Sequence, residues 1–209
     1  MKLQNRVLCS IAAFGLVLIA SQALAAAISV HVFDASGQPV VDSVVYAESM
    51  SSQPTVKSSH STEIEQKKRK FMPLVTAVQV GTEISFPNHD TVRHHVYSFS
   101  QPKIFDIKIY SGVPASPVLF DKPGTVVIGC NIHDQMVAYI YVVNTSHFAK
   151  TDANGIVKLE GLQPGKYRLK AWHFNLPSDA AIPEQTISLA GSDMPASFNL
   201  NIKSGATGN

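Results

Sequence analysis

Three side chains with an affinity for soft metal ions fall on one short stretch of the chain. In GCNIHDQM, Cys130, His133 and Met136 stand at C-x2-H-x2-M spacing and offer a thiolate, an imidazole and a thioether. Two His and one Cys in a trigonal plane, with a weak axial Met, form the ligand set of blue-copper electron-transfer sites. The set lacks one imidazole here. A single loop cannot surround an ion, so the second His must come from elsewhere, and FPNHDTVRHHVYSF offers His89, His94 and His95.

The surroundings of Cys130 favour ligation over a bland structural role. The first residues, MKLQNRVLCSIAAFGLVLIASQALA, have a basic start (Lys2, Arg6), an apolar stretch and an A-x-A end, which predicts a secretory signal peptide over 1–25, cleaved after Ala25. Export to the periplasm would follow, with no membrane span left after cleavage, since no later stretch is long and apolar enough. Cleavage also removes Cys9, which leaves Cys130 without an intramolecular disulfide partner. A thiolate held by a metal in a dry site is shielded from oxidation, whereas a free exposed thiol in an oxidising compartment is not. The whole chain has 17 basic and 15 acidic residues, and loss of Lys2 and Arg6 leaves 15 against 15. Near-neutrality gives no support to a nucleic-acid or membrane-surface role.

The elements that must position these residues read as strands throughout. Residues 26–50 contain two Val- and Ile-rich runs around Asp34, Ser36, Gly37 and Pro39, expected to form a hairpin. A Ser-rich, non-periodic segment follows, and a linker is placed over 51–62. From 63 to 144 the chain reads as a compact all-β sandwich. The alternation in IFDIKIY puts Phe105, Ile107 and Ile109 on one face of a half-buried strand, and Pro123-Gly124 fits a type II turn. The run Lys67, Lys68, Arg69, Lys70 is expected to lie in a strand, where successive like charges point to both faces and suit only an edge or a strand end, as a protected edge or a docking site for an acidic partner. In residues 145–209, Asn154-Gly155 and Pro164-Gly165 are turn signals between short strands.

Two resemblances bear on these blocks. The pattern from V-x-V-G-T-x-I-x-F-x-N-x-D through H-H-V to G-C-x-x-H-x-x-M-x-A-x-I-x-V resembles the cupredoxins, with the ligand-loop spacing of amicyanin-type proteins. PNHDTVRHHVYSFS together with GCNIHDQM is similar to the MauL-like cupredoxins of methylamine-utilisation clusters. This resemblance implies a Greek-key β-sandwich holding one type 1 copper, with His94, Cys130, His133 and Met136 as ligands. His95 stands where related proteins often carry Asn, which leaves open whether it braces the site or competes as a ligand. The tail and the first hairpin resemble a carboxypeptidase-regulatory or transthyretin-like module, through D-x-x-G-x-P-V and T-D-x-x-G-x-x-x-L. A second small β-sandwich, split by insertion of the copper-type domain, would result.

His89, Asp90 and Asn131 read as turn or bracing residues, while His31, His60, His147 and His173 have no ligand-like spacing. Trp172 and Tyr167 are simplest as core residues. The chain has no nucleophile–base pair, phosphate-binding Gly loop or paired carboxylates, so it is not expected to be an enzyme. The expected function is one-electron transfer with a redox protein partner. A copper-delivery module and a metal-free binding scaffold are the competing readings.

Overall fold

The computed structural model describes residues 26–51, 60–114 and 116–203. The leader expected over 1–25 and most of the linker expected over 51–62 lie outside the described residues. Among those described the protein is all-β, without a helix, so none is long and apolar enough to cross a membrane.

The two ends of the chain build one sandwich. β1 (Ala26–Phe33) lies between β14 (Ile156–Leu162), antiparallel, and β17 (Met194–Asn199), parallel. β2 (Val44–Ser49) lies between β13 (Phe148–Lys150) and β15 (Gly165–Trp172), with β16 (Glu184–Leu189) beyond. The expected hairpin over 26–50 is therefore corrected: β1 and β2 belong to opposite sheets. The physical reason is the shared core, because Val30 and Val32 of β1 and Val45 and Ala47 of β2 approach the same buried cluster from its two sides. Asp34 turns the chain across, its Oδ1 accepting the N–H groups of Ser36 (2.8 Å) and Gln38 (2.9 Å).

The middle of the chain builds a second sandwich. Its larger sheet runs in the order β6 (Val75–Gln79), β12 (Val137–Val143), β11 (Gly124–Gly129), β8 (His94–Ser98), β9 (Phe105–Tyr110). The smaller sheet is β10 (Val118–Phe120), β7 (Thr82–Ser85), β3 (Ser61–Glu63). Since β3 starts at Ser61, the last residues assigned to the linker are strand, held by parallel pairing to β7. Ile84 and Phe120 from one sheet meet Val96, Val126, Ile128 and Ile140 from the other in one core. A separate ribbon joins β4 (Glu65–Lys67) to β5 (Lys70–Met72). The basic run is thus not one strand but the end of β4 and the start of β5 in a two-stranded ribbon, the strand-end placement, with Lys68 and Arg69 forming its tip at φ of 56° and 57°.

β12 explains how the two sandwiches join. Its sequence, VAYIYVV, is apolar on both faces, as expected of a strand covered on both sides. Ala138, Ile140 and Val142 face the middle core, while Tyr141 and Val143 join Val44, Tyr46, Val75 and Trp172 in a cluster shared with the tail sandwich. The Tyr141 ring stacks on Trp172 at 4.4 Å between centroids and Tyr139 stacks on Phe174 at 4.8 Å. Trp172 is therefore an interface residue, and Tyr167 a core residue of the tail sandwich. Lys150 adds a polar tie, donating to Asp42 at 2.6 Å and to the carbonyl of Val75 at 2.7 Å.

Candidate metal centre

The loop between β11 and β12 carries Cys130, His133 and Met136, and its backbone closes on itself. The N–H of Cys130 donates to the carbonyl of Met136 (3.1 Å), and that of Met136 to the carbonyl of His133 (2.9 Å). Cys130 and Met136 are buried in the middle core, at 4% and 1% exposure, while His133 is half-buried at the surface. Across the sheet, His94 opens β8 and is fully buried. Its Nδ1 lies 3.2 Å from Nδ1 of His133, which is 3.7 Å from Sγ of Cys130. The donor atoms of His94, Cys130 and His133 all lie within 4.8 Å of one another.

This donor set fits one metal ion. Bonds of ~2.0 Å to nitrogen and ~2.3 Å to sulfur, at trigonal to tetrahedral angles, separate two nitrogens by ~3.3–3.5 Å and nitrogen from sulfur by ~3.5–3.7 Å. The protonation pattern fits as well. Nε2 of His94 is 2.9 Å from Oδ2 of Asp90, whose Oδ1 and Oδ2 also accept the N–H groups of Lys68 (2.6 Å) and Arg69 (2.8 Å). Burial pushes the Asp90 carboxyl up, but the bonds from Arg69, His94 and Lys68 outweigh it and hold it below the usual carboxylate range. An ionised carboxylate only accepts, so the His94 proton sits on Nε2 and leaves Nδ1 bare toward the cluster.

Alternation along β8 sends the next side chain the other way. The His95 ring bonds Asp106, whose carboxyl is held low by Lys108 and then by His95. Only the backbone N–H of His95 reaches the centre, donating to Sγ of Cys130 at 3.5 Å. His95 thus braces the sulfur with its main chain, and its imidazole is outside the donor cluster. Asn131, expected to brace the loop, is exposed. His89 pairs with Glu65 at 3.2 Å and does not join the site.

Several supporting residues lacked a signal in the sequence. A bulge between β8 and β9 pairs His94 with Tyr110 but Val96 with Ile107. It turns Ile109 outward to 46% exposure and Tyr110 inward, where Phe105, Ile107 and Tyr110 pack on the core, so the expected inward face holds only for Phe105 and Ile107. Burial pushes the Tyr110 hydroxyl up to about 12, with a further push from Cys130 and an opposing hydrogen bond from Gln66. Asn88 braces the loop before His94, donating to the carbonyls of Val92 (2.9 Å) and Tyr110 (3.1 Å) and accepting from the N–H of Asp90 (2.9 Å). The order Asn88, Asp90, His94 was visible in the sequence, but the ribbon that completes it was not.

No family model matches the chain, and no curated protein sequence matches it. Among solved structures, it is similar to a copper-containing nitrite reductase from Thermus scotoductus at 22% identity, over 46% of this chain and 25% of that one, with a TM-score of 0.38. The chain spans a quarter of the length of that enzyme. It is similar to a reduced amicyanin variant at 17% identity, over 47% of this chain and 99% of that one, with a TM-score of 0.37. A purple cupredoxin from Nitrosopumilus maritimus shares 20% identity over 41% of this chain and all of its own, with a TM-score of 0.35.

Proposed function

We propose that the chain is a cupredoxin-type, one-electron copper carrier of the periplasm, acting between protein redox partners and catalysing no reaction of its own. The observation that carries this reading is the convergence of a buried thiol with two imidazole nitrogens, one of them on a ring oriented by Asp90. His94, Cys130 and His133 would hold the ion in plane, and Met136, which closes the loop from the buried side, would be the weak axial ligand. Copper in such a set cycles between Cu(I) and Cu(II). The chain's own contribution is to exclude water around Cys130, to hold the sulfur with the His95 N–H and to fix the His94 tautomer. The same burial weighs against a delivery role, which needs donors open to an acceptor. The likeness of PNHDTVRHHVYSFS and GCNIHDQM to MauL-like cupredoxins supports the reading and implies nothing here about methylamine as a substrate.

The test is the purified mature chain loaded with Cu(II). It should bind one ion, show the intense colour of sulfur-to-copper charge transfer and reduce reversibly without losing metal. Cys130→Ser should remove the colour, and Met136→Leu should keep it and raise the reduction potential. A colourless wild-type complex, or release of the ion to a modest chelator on reduction, would show a delivery protein instead.

A further inference from the structure

The ribbon tip that orients Asp90 also concentrates charge. Lys67, Lys68, Arg69 and Lys70 are all exposed, and Arg93 is exposed one residue before His94. Among the described residues none of the five pairs through its side chain with a carboxylate. Without these five residues the mature chain has 10 basic and 15 acidic residues, so a third of its cations are concentrated at this one place.

The tip is held in place by unusual means. Two non-Gly residues at φ near 57° fit a type I′ turn, where Asn-Gly would be ordinary, and each left-handed residue costs on the order of 1 kcal/mol. Asp90 offsets that strain by accepting both tip N–H groups. The ribbon's base is anchored as well. Gln66 donates its N–H to the carbonyl of Pro87 (2.8 Å) and accepts from the N–H of His89 (2.9 Å), and Phe71 is buried in the core. The cations are therefore carried on a rigid element. Between tip and loop lies a groove of about 250 Å³, lined by Lys68, Arg69, Asp90, Thr91 and Val92. One carboxylate and one imidazole separate the tip from the donor cluster, a path on the order of 10 Å, about one Debye length at ~0.1 M salt.

We infer that the β4–β5 tip, Lys67 to Lys70 with Arg93, is a docking surface for an acidic patch of a protein partner, placed beside the His94 side of the metal centre. Its link to electron transfer rests on the reading above; its charge complementarity does not. An acidic polypeptide fits better than a polyanionic groove binder, because the charge sits on one compact tip and not along an extended groove.

The test titrates labelled hexaglutamate into the mature chain, metal-free and copper-loaded, between ~10 mM and ~150 mM salt, where the Debye length falls from about 30 Å to about 8 Å. Binding should weaken with salt and fall about tenfold or more in Lys67→Glu/Lys70→Glu. The control Lys122→Glu/Lys166→Glu carries the same charge change elsewhere and should bind as wild type. Equal loss in both variants, no binding in either metal state, or binding to anionic phosphatidylglycerol vesicles without binding to the peptide would each overturn the inference. In the reduced copper-loaded protein, one-electron oxidation by hexacyanoferrate(III) should slow in Lys67→Glu/Lys70→Glu, and oxidation by tris(phenanthroline)cobalt(III) should not. Peptide binding by a chain that takes up no copper would refute the electron-carrier reading and leave the docking surface standing.

Discussion

Replacing Asp90 by Asn tests how the centre is held together. The carboxylate accepts from Lys68 (2.6 Å), Arg69 (2.8 Å) and Nε2 of His94 (2.9 Å). Asn keeps one oxygen and presents an NH2 group where the other stood. In its least costly orientation the oxygen stays on the Arg69 and His94 side, and the Lys68 N–H faces a second donor. Losing one hydrogen bond to a charged acceptor costs about 1.5–3 kcal/mol. The remaining two weaken because the acceptor is neutral. Denaturant titration of the metal-free variant should show that loss. Chelator competition should show copper affinity down about 10- to 100-fold, the usual effect of removing a group that orients a metal-bound His. Asp134→Asn, an exposed change beside His133, should leave both values unchanged. Wild-type stability and affinity in Asp90→Asn would refute the argument that this carboxylate positions His94.

Two further predictions concern the tail sandwich. Gly155 has φ 71°, and a Cβ there would lie 2.6 Å from the carbonyl oxygen of Val32; Gly155→Ala should destabilise by about 2 kcal/mol or more, measured by denaturant unfolding, while Gly37→Ala, at φ 79° with open space around it, should cost about 1 kcal/mol. Burial lowers the pKa of His173 from 6.5 to about 4, against smaller opposing pulls from a hydrogen bond with Val41 and from Asp42. The unfolded chain takes up this proton below pH 6.5 and the folded chain only near pH 4, so its contribution is full above 6.5 and is lost as pH falls toward 4, by about 3 kcal/mol. The stability difference between wild type and His173→Gln should follow that slope; a difference independent of pH would show that His173 is not buried in its neutral form.

The sequence alone determined the character of the strands and the types of donor. Alternation and Gly/Pro punctuation made the chain legible as all-β, because period two is a local property. The C-x2-H-x2-M spacing placed three candidate donors on one loop for the same reason, since Cys130 and Met136 close that loop within themselves. Which His completed the group was legible only through a resemblance, and tertiary structure alone supplies its geometry: strand alternation turns His94 toward the donor cluster and His95 away from it. Long-range pairing was not legible. Nothing in Ile28 to Ser49 distinguishes a hairpin from two strands in facing sheets; that depends on β14, β15 and β17, more than a hundred residues away. Ile109 looked like a core residue until the bulge opposite His94 shifted the register. The basic run looked like part of one strand, at an edge or a strand end, yet it turns between two strands and caps a ribbon whose left-handed turn Asp90 holds. Composition and spacing record what each segment can do, whereas register, bulges and the partner of a single carboxylate are set by contacts between segments, and these decide where the chemistry is held.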